Sequence, residues 1–72
     1  MARTLNPNKL HLSKWTAVTP HDREKHFLVT RLLRDEQENV TGCVIEAVLT
    51  RREQELDWRD LKDETRWQTG WR

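Results

Sequence analysis

Two runs of β-branched and aliphatic residues set the limits on what this chain can fold into. His26-Phe27-Leu28-Val29-Thr30-Arg31-Leu32-Leu33 and Gly42-Cys43-Val44-Ile45-Glu46-Ala47-Val48-Leu49-Thr50 stand on either side of the polar break Asp35-Glu36-Gln37-Glu38-Asn39. Such side chains suit a pleated surface, and a short polar stretch between two such runs reverses the chain, so the pattern predicts a long antiparallel hairpin. Its strands are expected over about Lys25 to Arg34 and Val40 to Thr50.

Length sharpens the constraint. A chain of 72 residues makes one domain, and a domain this small buries only about 60% of the surface its unfolded chain exposes. Hydrophobic and charged residues each make up 35% of it, so a few large side chains must supply most of the burial. The four tryptophans, Trp15, Trp58, Trp67 and Trp71, can do this, since an aromatic side chain buries roughly 150–250 Å².

Within the two long strands the alternation is not clean. Phe27, Val29, Arg31 and Leu33 share one side, yet His26, Leu28, Thr30 and Leu32 opposite them are hardly polar. Two-sided hydrophobicity of this kind fits a strand that bends across a small barrel or is covered on both faces. Cys43, Ile45, Ala47 and Leu49 form an apolar set, with Val44, Glu46 and Val48 on the mixed side. Gly42 stands where a bulge or bend is tolerated.

A further strand is expected over Lys14 to Val18, with Pro20 marking its end because proline cannot donate to a ladder. Residues 1–12 read as an N-terminal arm, Pro7 between two asparagines signalling a turn and Leu10 and Leu12 able to dock on the domain. Residues 13–72 then form the domain. Over Arg51 to Glu64 two readings compete. Thr50-Arg51-Arg52-Glu53 matches a capping box and opens a helix-forming composition. A helix, however, would set Leu56 and Trp58 about 200° apart, whereas a strand puts both inward and Glu53, Glu55 and Asp57 outward. The strand is preferred, followed by one helical turn over Trp58 to Lys62. From Asp63 to Arg72 a tail carries Trp67 and Trp71 back over the sheet, and Gly70 between them weakens a helix there.

The fold expected is therefore all-β and mainly antiparallel: a small SH3-like barrel or a curled four-stranded meander, with a short helical turn and an aromatic C-terminal tail. Its core is expected to hold Trp15, Phe27, Val29, Ile45, Ala47, Leu49, Leu56 and Trp58.

Set out in order, Ser13-Lys14-Trp15-Thr16-Ala17-Val18, Lys25-His26-Phe27-Leu28-Val29-Thr30, Val44 to Thr50, Asp57-Trp58-Arg59-Asp60-Leu61, Trp67 and Gly70-Trp71 form a recognisable pattern. Over nearly the whole chain, from Asn6 to Arg72, it resembles a family of small tryptophan-rich bacterial proteins of unknown function, found in cyanobacteria and some proteobacteria. The resemblance implies a bacterial origin and an independent short protein, and it carries over no catalytic residue.

Chemistry finds little purchase. His11, His21, His26 and Cys43 lack the spacing of a metal site, so no metal is expected. Cys43 lies in an apolar strand, where a thiol behaves as a small hydrophobe. With two glycines the chain has no phosphate-cradling loop, and no cofactor or enzymatic activity is expected. The lone cysteine makes no intrachain disulfide, and no apolar run approaches the ~20 residues of a membrane span, which gives a cytoplasmic expectation with no membrane partner.

Binding remains. The first hypothesis is an interaction module, a monomer or weak homodimer, that meets a protein or peptide through Arg59, Arg66, Trp67, Trp71 and Arg72, since tryptophan and arginine dominate interface hot spots. The alternative is single-stranded RNA, with bases stacked on the indoles and phosphates met by Arg3, Lys9, Lys14 and the C-terminal arginines. A net charge of +1 weighs against a polyanion ligand, although residues 1–21 hold three basic side chains and no acid. Trp15 and Trp58 are expected to be structural, and Trp67 and Trp71 to divide between packing and ligand contact.

Overall fold

The computed structural model describes residues 4–72. Five antiparallel strands form one sheet: β1 (Lys14–His21), β2 (Glu24–Arg34), β3 (Val40–Ala47), β4 (Glu53–Leu56) and β5 (Trp67–Thr69), in the order β4-β3-β2-β1-β5. Short 3-10 turns at Pro7–Lys9 and Trp58–Lys62 are the helical elements among the described residues. The all-β expectation holds, with the sheet open rather than closed into a barrel.

The fifth strand was not expected. Trp67, Gln68 and Thr69 pair with Ala17, Thr16 and Trp15, so the start of the tail joins the sheet edge instead of lying across a face. Three residues, Trp-Gln-Thr, carry almost no strand signal of their own, and the ladder on β1 supplies what propensity lacks.

Irregular pairing explains the two-sided hydrophobicity of β2. Val29 pairs with Ile45, but the next partners are Arg31 with Val44 and Leu32 with Cys43. Thr30 is thus an extra residue on β2, and past this bulge the inward side switches from Phe27 and Val29 to Leu32. A second shift, between Thr16 and His21 of β1, absorbs Pro20 where the ladder to β2 is already interrupted. The strand therefore runs one residue beyond the proline that was expected to end it.

Each hairpin turn has its own device. Asp22 and Arg23 both adopt left-handed φ, at 53° and 66°, the geometry of a two-residue turn whose twist matches the strands. At the tip of β2–β3, Asp35 Oδ1 accepts from the backbone N–H of Gln37 and of Asn39, both at 2.9 Å. β3 ends at Ala47 rather than Thr50, because Ala47 N–H bonds Arg52 O and Arg51 N–H bonds Ala47 O. Leu49 consequently sits at a turn tip and is 66% exposed, which corrects its expected place in the core. Extending the strand alternation two residues too far produced that expectation.

The core occupies one face of the sheet. Trp15, Phe27, Val29, Cys43, Ile45 and Ala47 point into it, and Leu10, Trp58, Leu61 and Trp67 complete it. Leu56 is half-buried at its margin. β4 stops at Leu56, so Trp58 enters as the first residue of the 3-10 turn, capped by Asp57 Oδ1 accepting from Arg59 N–H. Of the N-terminal arm, Leu10 is buried whereas Leu12 is exposed. Gly42 is required by close approach, since a Cβ there would stand 2.8 Å from the Leu56 carbonyl oxygen.

Glu24 ties the two hairpins together. Its carboxylate accepts from Thr50 Oγ1 and from the Arg52 guanidinium, forming an ion pair across the β1–β2 and β3–β4 ends. Arg52 first and Thr50 second hold the carboxyl at about 2, below its ordinary 4.5.

Two predictions follow from this packing. Trp58→Ala should lower unfolding free energy by about 3–5 kcal/mol, the range for emptying a large aromatic site. Trp58→Phe should cost much less, because no acceptor among the described residues reaches the buried Trp58 Nε1; urea denaturation of both variants is the check, and equal losses would refute the packing role. Glu24→Gln should melt below the parent protein at neutral pH. A depressed carboxyl stabilises fully above its unfolded value, so the gap in Tm should narrow as pH falls from about 4.5 towards about 2. A gap independent of pH would dismiss the ion pair as its source.

Candidate functional site

Gly70 divides the two C-terminal tryptophans between opposite faces of the sheet. Trp67, on β5, is 6% exposed and meets Phe27 edge-on at 5.2 Å within the core. Gly70, at φ 78° with open space around it, turns the chain. Trp71 then lies over the second face, beside Lys14 and His26, which alternate with the core residues Trp15 and Phe27.

Backbone and side-chain bonds fasten this last segment. Gly70 N–H donates to Lys14 O at 2.8 Å, Thr16 Oγ1 donates to Gly70 O at 2.7 Å, and Arg72 N–H donates to Thr16 Oγ1 at 3.0 Å. Thr16 is buried without cost, since its hydroxyl both donates and accepts. Trp71 Nε1 donates to Phe27 O at 2.9 Å, and His26 Nε2 lies 2.8 Å from Arg72 O. The Lys14 ammonium stands 4.8 Å from the centre of the Trp71 ring, a cation–π contact that contributes about 0.5–1 kcal/mol at an exposed site. Trp71 nevertheless remains 44% exposed. An indole fixed at its N–H and open over much of its surface can contact a ligand without first being ordered.

The other residues expected at the site are dispersed. Arg59 belongs to the 3-10 turn on the core side, 3.4 Å from Asp57 and stacked at 5.1 Å over Trp58, whose ring Lys62 also covers at 5.1 Å. Arg66 is exposed beside β5, its carbonyl accepting from Val18 N–H. Arg72 stays with Trp71, its Nε donating to Thr69 O. Trp71 and Arg72 therefore come together, while Arg59, Arg66 and Trp67 do not join them. Arg3, one of the basic residues of the RNA hypothesis, lies outside the described residues.

His26, Val48 and Leu49 are the site's unexpected members, and Lys14, expected only as a phosphate contact in the RNA hypothesis, joins them. A groove of about 330 Å³, lined by Arg23, Lys25, His26, Val48 and Leu49, opens between the β1–β2 and β3–β4 turns. His26 also lies 6.2 Å from the Trp71 ring, centre to centre, so groove and indole are neighbours. Strand alternation held the signal for Lys14 and His26, which fall opposite Trp15 and Phe27; reading Leu49 as core concealed the rest.

Cys43 is buried, and desolvation, reinforced by Asp57 and Asp60, raises its thiol to about 11. Among the described residues no group of three His, Cys, Asp or Glu side chains could hold a metal ion. Among them also, no helix is long and apolar enough to cross a membrane.

A family model described as "Tryptophan-rich protein (DUF2389)" matches residues 13–72. No curated protein and no solved structure matches the chain.

Trp71→Ala should lower stability by about 1–2 kcal/mol, the worth of one hydrogen bond and one exposed cation–π contact, and so less than Trp58→Ala. Parallel urea titrations compare the two. A loss equal to that at Trp58 would make Trp71 part of the core.

Proposed function

The chain belongs to the tryptophan-rich DUF2389 family, of unknown function, and from that premise we propose that it is a non-enzymatic interaction module that binds a peptide segment of a protein partner through its Trp71 face. The observation that carries this reading is the fixed, 44% exposed Trp71. Of the four indoles it is the one the core does not consume, and it sits on the face opposite that core.

Tryptophan gives a large rigid contact at small entropic cost, and arginine beside it supplies donors for carboxylates and carbonyls. Trp71 and Arg72 are such a pair, flanked by Lys14 and His26. Three members of the sequence-derived set have other work. Trp67 packs in the core, Arg59 covers Trp58, and Arg66 stands beside β5. The bound segment therefore meets a narrower surface than five residues would make.

Single-stranded RNA is the less favoured ligand. Lys14 already stands over the Trp71 ring, so a base stacking on that side would have to displace an ammonium group. The short, charged edge strand β4, with Glu53 and Glu55, resists edge-to-edge growth and supports a monomer or weak homodimer. A reducing cytoplasmic setting suits the unpaired, buried Cys43.

Selection of a random peptide display library against the intact chain, followed by titration on the Trp71→Ala variant, tests the proposal. Enriched peptides should bind the variant at least about tenfold more weakly, the effect of a lost aromatic hot spot. Equal binding to both proteins would remove Trp71 from the site. Should no peptide be enriched while oligouridylate quenches tryptophan fluorescence with a steep salt dependence, the RNA reading replaces it.

A further inference from the structure

We infer that the groove beside Trp71 is a subsite for an acidic residue next to an aliphatic one, so that the peptide taken by this face carries alternating carboxylate and aliphatic side chains. This inference rests on the peptide-binding reading of the Trp71 face and specifies its ligand.

The groove is held in shape by its surroundings. Its two walls belong to different hairpins, Arg23 and Lys25 on the β1–β2 side and Val48 and Leu49 on the β3–β4 side. The Val48 backbone N–H donates to His26 O at 2.9 Å, and Glu24 binds both Thr50 and Arg52. The turns are therefore locked to each other before any ligand arrives. A preorganised groove loses less entropy on binding than a pair of loose loops.

Its lining is chemically lopsided. Arg23 and Lys25 contribute positive charge, His26 adds an imidazole whose Nε2 is taken by Arg72 O, and no carboxylate lines the groove. The nearby acids are already matched, Glu24 by Arg52 and Glu46 by Arg51 at 3.4 Å. Among the described residues no carboxylate lies in ion-pair range of Arg23 or Lys25. Opposite these charges, Val48 and Leu49 are 38% and 66% exposed, an apolar surface that the fold leaves without intramolecular cover.

Charge on one wall and bare aliphatic surface on the other match a ligand bearing both characters within one residue spacing. About 330 Å³ lies at the lower end of the range for small-ligand sites and accommodates a couple of side chains rather than a folded surface. An extended peptide places alternate side chains on one side every ~6.6–7 Å. One residue can thus enter the groove while a neighbour crosses His26 to reach Trp71.

Fluorescence anisotropy with labelled peptides of sequence Asp-Leu-Glu-Leu-Asp, Asp-Ser-Glu-Ser-Asp and Lys-Leu-Lys-Leu-Lys tests the inference on the full chain. The acidic aliphatic peptide should bind tightest, the serine version about tenfold more weakly, and the lysine version not measurably. Leu49→Ser and Lys25→Glu change exposed positions and should leave the Tm unchanged, yet each should weaken the first peptide at least about fivefold. If that peptide binds in a Trp71-dependent way but ignores both groove variants, the Trp71 reading stands and the groove assignment falls. If only display-selected peptides without acidic residues bind, the ligand chemistry is wrong. Leu49-dependent binding to phosphatidylglycerol vesicles without peptide binding would make the groove a lipid contact and overturn the inference. Failure of every peptide to bind would defeat both readings together.

Discussion

A single sheet has two faces and no second layer of its own, so everything in this fold depends on how one of those faces is shielded from water. Three indoles, Trp15, Trp58 and Trp67, with Leu10 and Leu61, make that cover on the core side. At ~25 cal/mol per Å² of apolar surface, each ring removes on the order of 4–6 kcal/mol of unfavourable hydration. Few aliphatic side chains come close, and the chain has little other bulk. That is why the 3-10 turn Trp58–Lys62 matters although it is too short to be stable alone: it delivers Trp58 and Leu61 onto the sheet at a fixed height. Gly42 belongs to the same constraint, because the Leu56 carbonyl could not approach β3 past a Cβ.

Once one face is sealed, the other becomes available. Burial of Trp67 anchors β5 to β1, and this brings Gly70 to the edge of the sheet. The left-handed turn there can send the chain only across the second face, where Thr16, His26 and the Phe27 carbonyl receive it. The exposed indole is thus a consequence of the buried one. Two tryptophans separated by four positions occupy opposite environments because strand and turn, rather than helix, lie between them.

How much of this was legible follows from which forces act locally. The central hairpin was readable because β-branched periodicity and a polar break are sequence-local signals, and Asp35 closes the turn with its own side chain. The strand at Leu56 was readable because helical geometry would have split Leu56 from Trp58. Three features were not. The bulge at Thr30 reverses the facing of β2 without any glycine or proline to announce it. The end of β3 at Ala47 depends on hydrogen bonds to Arg51 and Arg52, and without it Leu49 looks like core. β5 exists because β1 has a vacant edge, which no window around Trp67 can reveal. For the site, tryptophan and arginine were identified as residue types, whereas their grouping was decided by the face each strand position occupies.

The ion pair of Glu24 with Arg52 joins fold and site more closely than its position suggests. An exposed arginine meeting a carboxylate usually contributes little to stability, yet Glu24 is itself shielded and also receives the Thr50 hydroxyl. Its geometric effect is larger, because it fixes the β3–β4 turn against the β1–β2 turn. Leu49 is projected from the first and Arg23 from the second, so the groove's width is set by a contact that does not line it. Glu24, which stands between Arg23 and Lys25 in the sequence, is committed to Arg52 instead. Keeping Glu24 occupied thereby leaves basic side chains facing bare aliphatic surface, a combination that folding alone gives no reason to retain.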